Sequence, residues 1–190
     1  MIAGKRNTFV WVHEEDAKAL RDLCGDNAAR EAAWLASQRE QLGLTEGEPT
    51  PEPLRLELLR LRPARWPGQS HIVEASMRVR LSRPDLVGPW VPFTPAERES
   101  QRLSGRRPGT PSERFSDKLA LDLDPELVDL AQLASYRISE PIVSQMHAEN
   151  LLGPGRSRSR RARLRREELQ AQIYTLGRIA REAIALVLHP

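Results

Sequence analysis

Seven arginines fall close together near the C-terminus: Arg156, Arg158, Arg160, Arg161, Arg163, Arg165 and Arg166. A guanidinium is planar and presents paired N–H groups that match two oxygens of a phosphate. The block is therefore read as a nucleic-acid contact, with DNA the first candidate and an acidic protein partner the alternative. Like charges at the start of a helix oppose its macrodipole, so an anion there would relieve a standing penalty. Gly153-Pro154-Gly155 stands just before the block and is expected to let it swing or order on contact. Behind it, Leu169, Ile173, Leu176, Ala180, Ala183 and Val187 step by alternating fours and threes. That stripe is expected to be buried, against the chain's own core or across a homodimer. A second, weaker basic surface is expected from Arg78 and Arg80, diluted by the neighbouring Glu74.

Catalytic patterns fail one after another. His147-Ala148-Glu149 has the spacing of a zinc deaminase, but no cysteine pair follows it. His13-Glu14-Glu15-Asp16 lacks the second histidine one turn on and reads as a helix opening. No phosphate-binding glycine loop, nucleophile elbow or cysteine-pair zinc pattern occurs. The only cysteine, Cys24, lies on the apolar face of an expected helix. No metal site and no cofactor is expected, and the reading is non-enzymatic. An enzyme subunit whose site is completed by another chain is a weaker alternative.

The elements that would carry these residues fall into zones of distinct composition. Residues 1–43 hold no proline, residues 44–114 hold eleven of the fifteen, and residues 115–153 and 154–190 follow. Thr8-Phe9-Val10-Trp11-Val12 is β-prone, and a helix with Ala17, Leu20 and Cys24 on one face follows it. Gly25-Asp26-Asn27 is expected to break that helix ahead of a second one through Trp34 and Leu35. From Lys118 to Leu123, Leu119, Leu121 and Leu123 alternate strictly, as in a half-buried strand. Asp124 then caps a helix with Pro125 in its first turn, and Ser139 is expected to open another. Residues 154–190 are expected to form one long terminal helix.

Two strand–helix–helix units of similar length result. Leu119-Ala120-Leu121-Asp122-Leu123-Asp124-Pro125-Glu126-Leu127, with Ser139-Glu140 opening the second helix, resembles the ribbon-helix-helix family of DNA-binding proteins. The resemblance implies an antiparallel pair of strands lying in the DNA major groove, here supplied by one chain. Strand Thr8–Val12 is accordingly expected to pair antiparallel with Lys118–Leu123. The outward side chains would be Asn7, Phe9 and Trp11 on one strand and Lys118, Ala120 and Asp122 on the other.

In the middle zone, His71 to Leu81 alternates over eleven residues and is expected to be a half-buried strand. Leu54 to Arg62 alternates with a slip at Leu58-Leu59, as a bulged hairpin partner or a short helix. Thr94-Pro95-Ala96-Glu97 carries a capping box opening a helix toward Leu103, and Ser104 to Ser112 reads as a linker.

The expected fold is thus α+β and helix-rich, with strand–helix–helix units at both ends and a Pro-rich middle containing a β-hairpin. With 190 residues the chain can bury a real core, and aromatics at 5% leave that core to Leu, Val, Ile and Ala. No apolar run is long enough to cross a bilayer, and no signal peptide is recognisable. One cysteine fits a reducing compartment, so a cytoplasmic setting without a membrane partner is expected. Nine Arg against three Glu from Pro154 to Pro190 give this arm a net +6, against +3 for the whole chain. A mildly acidic body with a basic arm fits a regulatory or accessory nucleic-acid-binding role. A structural subunit whose arm docks an acidic protein partner is the alternative.

Overall fold

The computed structural model describes residues 4–44, 49–62, 66–98, 115–153 and 155–189. The chain runs β1 (Arg6–Val12), α1 (Glu14–Gln41), α2 (Glu52–Leu61) and α3 (Gln69–Leu81). It continues with β2 (Asp117–Leu123), α4 (Pro125–Ala148), α5 (Arg160–Gln172) and α6 (Leu176–Leu188). This is a helix-rich α+β fold. No helix among the described residues is long and apolar enough to cross a membrane.

β1 and β2 pair antiparallel, with Val10 opposite Leu119 and Trp11 opposite Lys118. The expected pairing of these two strands is therefore present. Period-two alternation sends Val10, Val12, Leu119, Leu121 and Leu123 inward, each 2% exposed or less. Helices cover this inner face with Leu20, Val73, Met77, Leu127, Ile179 and Ala183. α6 packs chiefly on α3 and also touches α1, α4 and β1.

The ribbon-helix-helix resemblance does not survive. The two strands form one small sheet, joined by a long crossover within a single chain, and where each strand was expected to lead into a pair of short helices a single long helix follows. α1 runs unbroken for 28 residues through Gly25-Asp26-Asn27. A single helical glycine costs only about 1 kcal/mol relative to alanine, and packing offsets it. Asn27 turns inward and donates from Nδ2 to the Pro67 carbonyl at 3.1 Å. α4 likewise runs unbroken through Ser139, whose hydroxyl is used elsewhere.

The β-hairpin in the middle zone is also corrected. Residues 71–81 belong to α3, and Leu54 to Arg62 takes the helical alternative as α2, which ends at Leu61. The strand reading turns Val73, Met77 and Val79 inward. The observed inward set is Ile72, Val73, Ser76, Met77, Arg80 and Leu81, which is helical spacing, while Val79 is 57% exposed. Two of the inward residues are polar, so the helical stripe was masked. Ser76 is satisfied within the helix, Oγ to the Ile72 carbonyl at 2.7 Å.

The expected capping signals at Asp124 and Thr94 form. Asp124 accepts from the Glu126 amide at 3.0 Å, ahead of Pro125. Thr94 and Glu97 exchange reciprocal bonds, Thr94 N to Glu97 Oε2 at 2.7 Å and Glu97 N to Thr94 Oγ1 at 3.2 Å. Leu103 and the Ser104 to Ser112 linker lie outside the described residues. The single terminal helix is two helices. α5 ends at Gln172, and Thr175 caps α6 by accepting from the Arg178 amide.

Candidate nucleic-acid interface

The arginine segment is positioned by the end of α4. Asn150 takes a left-handed conformation, φ 58°, just past the helix. Leu151 N then reaches back to the Met146 carbonyl at 2.9 Å and Asn150 N to His147 at 3.0 Å. This is a Schellman ending, and the apolar contact that accompanies it joins Leu151 to Met146. Those two side chains, with Leu169 and Ile173, make a second small core that seats α5 against α4. The returning strand of chain is pinned in turn, since Ser157 N donates to the Asn150 carbonyl at 3.1 Å. Ser157 Oγ meets Ser159 Oγ at 3.3 Å, and Ser159 caps α5 by accepting from the Ala162 amide at 3.1 Å. The segment is thus hydrogen-bonded to the end of α4 through Ser157 and to the start of α5 through Ser159.

On this frame the seven arginines separate. Arg156, Arg158, Arg160, Arg161 and Arg163 are exposed, and no carboxylate among the described residues pairs with them. Arg166 is half-buried. Arg165 is committed: Nε and Nη2 fork onto Glu149 at 3.0 and 3.1 Å, and Nη1 reaches Glu168 at 2.8 Å. The Arg165 guanidinium, followed by Gln145, holds the Glu149 carboxyl below its ordinary range. Glu149 is therefore a clamp between α4 and α5. Leu164 stands 55% exposed among the free arginines.

In the body most arginines are paired, although Arg30, Arg60, Arg83 and Arg98 stand exposed with no carboxylate partner among the described residues. Arg6 pairs with Asp129, Arg21 with Asp117, Arg55 with Glu52, Arg62 with Glu31 and Arg137 with Glu97. Arg78 is exposed and bridges Glu74 and Asp124 at 3.2 and 2.6 Å. Arg80 is only 7% exposed and points the other way. It forks onto Asp85 at 2.9 and 2.6 Å, and its Nε reaches Glu182 at 2.8 Å. Arg78 and Arg80 therefore share no basic surface, because the helix turns them about 200° apart.

The stripe divides at the α5–α6 break. Leu169 and Ile173 enter the small core, whereas Ala180 and Ala183 enter the main one, with Leu176 and Val187 partly buried against it. Its burial takes place within the chain's own fold. Ser139, wholly buried in α4, holds the break in place through both backbone polar groups of Tyr174.

Among the described residues, no three His, Cys, Asp or Glu side chains converge as a metal site would require. His13, Glu14, Glu15 and Lys18 line a surface depression. Cys24 is partly buried against the core, and burial pushes its thiol pKa up. Sequence reasoning found the arginines by composition, but missed Glu149 and Ser157, whose roles depend on contacts across a turn. A search of family models finds no match to the chain, no curated protein matches it, and no solved structure matches its fold.

Proposed function

We propose that the chain is a non-catalytic nucleic-acid-binding protein, with DNA the first candidate, gripping phosphates through Arg156, Arg158, Arg160, Arg161 and Arg163. The observation that carries this reading is the concentration of five exposed guanidiniums without carboxylates in the eight residues 156–163, whereas the exposed, unpaired arginines of the body, Arg30, Arg60, Arg83 and Arg98, stand singly and far apart in sequence among paired ones. Anchoring of the segment through Ser157 and Ser159 supports it, because a preorganised cationic site loses less freedom on binding. Arg160 and Arg161 crowd the positive end of α5, so a phosphate there relieves both the mutual repulsion and the opposition to the macrodipole.

The test is the salt dependence of binding. Five phosphate contacts give a log–log slope of about −4.5 on duplex DNA. Changing the five arginines to Ser should remove most of that slope, while Arg165, kept in place, preserves the α4–α5 clamp. Absence of binding to duplex DNA, single-stranded DNA and RNA at low salt sinks the reading. Exposed Leu164 amid the arginines favours one second reading, an acidic amphipathic protein partner inside a larger assembly. Capture of such a partner by the parent, and not by the five-arginine variant, would support it.

A further inference from the structure

We propose that the outer face of the β1–β2 ribbon stacks the bases of a single-stranded nucleic acid, with the rings of Phe9 and Trp11 as platforms. The inference rests on the phosphate-binding reading above and names the class of strand bound. Among the described residues helices cover only the inner face of the ribbon, and on the outer one Phe9 is 51% and Trp11 44% exposed. Neither ring belongs to a hydrophobic core, and two half-exposed rings at neighbouring outward positions make an apolar patch. Residues two apart on a strand lie about 6.8 Å from each other on one face, so the rings stand side by side. Opposite Phe9 the partner strand carries Ala120, which leaves the flank of the ring open.

Charge fits the same occupant at one end of the ribbon. The Lys118 ammonium lies over one face of the Phe9 ring, 3.8 Å from its centroid, so a base can stack only on the other face; no carboxylate among the described residues pairs with the ammonium. The carboxylates around the ribbon are engaged: Asp117 by Arg21, Asp124 by Arg78, Asp129 by Arg6 and Glu74 by Lys5. Asp122 faces outward at the far end and accepts from Asn7 at 3.0 Å, which places the anion track at the Lys118 end. An added β-strand is a poorer occupant, because side chains already take edge groups. Ser70 accepts from the Asp122 amide at 3.0 Å, and Arg181 donates to the Trp11 carbonyl at 3.0 Å. Base-edge readout in a duplex groove is also a poor fit. Phe9 and Ala120 offer no side-chain donor or acceptor, whereas a π-face accepts any base.

The ribbon adjoins the N-terminal end of α4 and the arginine segment its C-terminal end, so mutation separates their contributions. The experiment compares a labelled thymidylate 20-mer, an abasic strand of equal length and a 20-base-pair duplex, by fluorescence anisotropy. The parent should prefer the base-bearing strand to the abasic one. Phe9→Val and Trp11→Val should each weaken single-strand binding about 5- to 150-fold, with duplex binding within about twofold of the parent. Equal binding of thymidylate and abasic strands by the parent overturns the proposal without any variant. So does a loss in the variants that is the same for single strand and duplex. Duplex binding that survives with no ring effect leaves the arginine reading standing and removes this one. Absence of all binding removes both.

Discussion

The Ser139 hydroxyl donates to the Tyr174 carbonyl at 3.0 Å and accepts from the Tyr174 amide at 2.9 Å, although 35 residues separate the two. One side chain thereby satisfies both backbone groups at the break between α5 and α6. Because Ser139 is fully buried, water cannot take over if the hydroxyl is lost. Ser139→Ala should destabilise the fold by about 1–3 kcal/mol, read as a lower urea midpoint with an unchanged slope. A variant that unfolds with the parent would mean that Tyr174 finds other partners.

Arg80 yields an ordered pair of outcomes. Asp85→Asn combined with Glu182→Gln strands a buried guanidinium and should cost about 3–5 kcal/mol. Arg80→Met removes the charge, leaves Glu182 its second partner Arg178, and leaves Asp85, 54% exposed, to water. It should cost less than about 2 kcal/mol. Urea titration of both variants checks the order, and a reversed order would contradict it.

Glu97 gives the pH dependence. Arg137 forks onto it at 2.6 and 3.0 Å, and with the Thr94 amide it lowers the carboxyl pKa from about 4.5 to about 2. A depressed folded value means that the stabilisation is fully present above about pH 4.5 and is lost as pH falls toward 2. Hydrogen-exchange protection of residues 91–98 should decline through that window in the parent. In Glu97→Gln the same protection should be reduced already at pH 7 and show no decline in the window.

Ile173 tests the small core. It is 1% exposed and packs with Met146, Leu151 and Leu169. Ile173→Asp should cost on the order of 3 kcal/mol or more through burial of an unpaired charge. A melting temperature equal to the parent's would show α5 to be undocked.

Local signals were legible where the chain answers to its neighbours in sequence. The strict alternation of Leu119, Leu121 and Leu123, the Asp124-Pro125 cap and the Thr94–Glu97 box all formed as expected. Ser139 misled because serine is a good helix opener in isolation, while its bonds here run to the backbone of Tyr174, in the break between α5 and α6. Residues 71–81 misled because burial of Arg80 depends on Asp85 and Glu182, the latter 102 residues away. The arginine block was visible as composition. The division between free arginines and the committed Arg165 was not, since it depends on Glu149 standing across a turn. The heptad-like stripe was read as continuous because its apolar spacing hid the cap at Thr175.

The ribbon joins Asn7 to Asp122, residues 115 positions apart. At a synthesis rate of ~5–20 residues per second, β1 leaves the ribosome roughly 6–23 s before its partner exists. Throughout that interval Val10 and Val12 belong to an unpaired, β-prone segment, the kind most exposed to wrong pairing with other nascent chains. Lys5 stands directly before it and Arg6 opens it, and their carboxylates, on Glu74 and Asp129, become available only after folding. On the unfolded chain those two charges act as gatekeepers for β1, and they change from guarding a strand to anchoring it once β2 arrives.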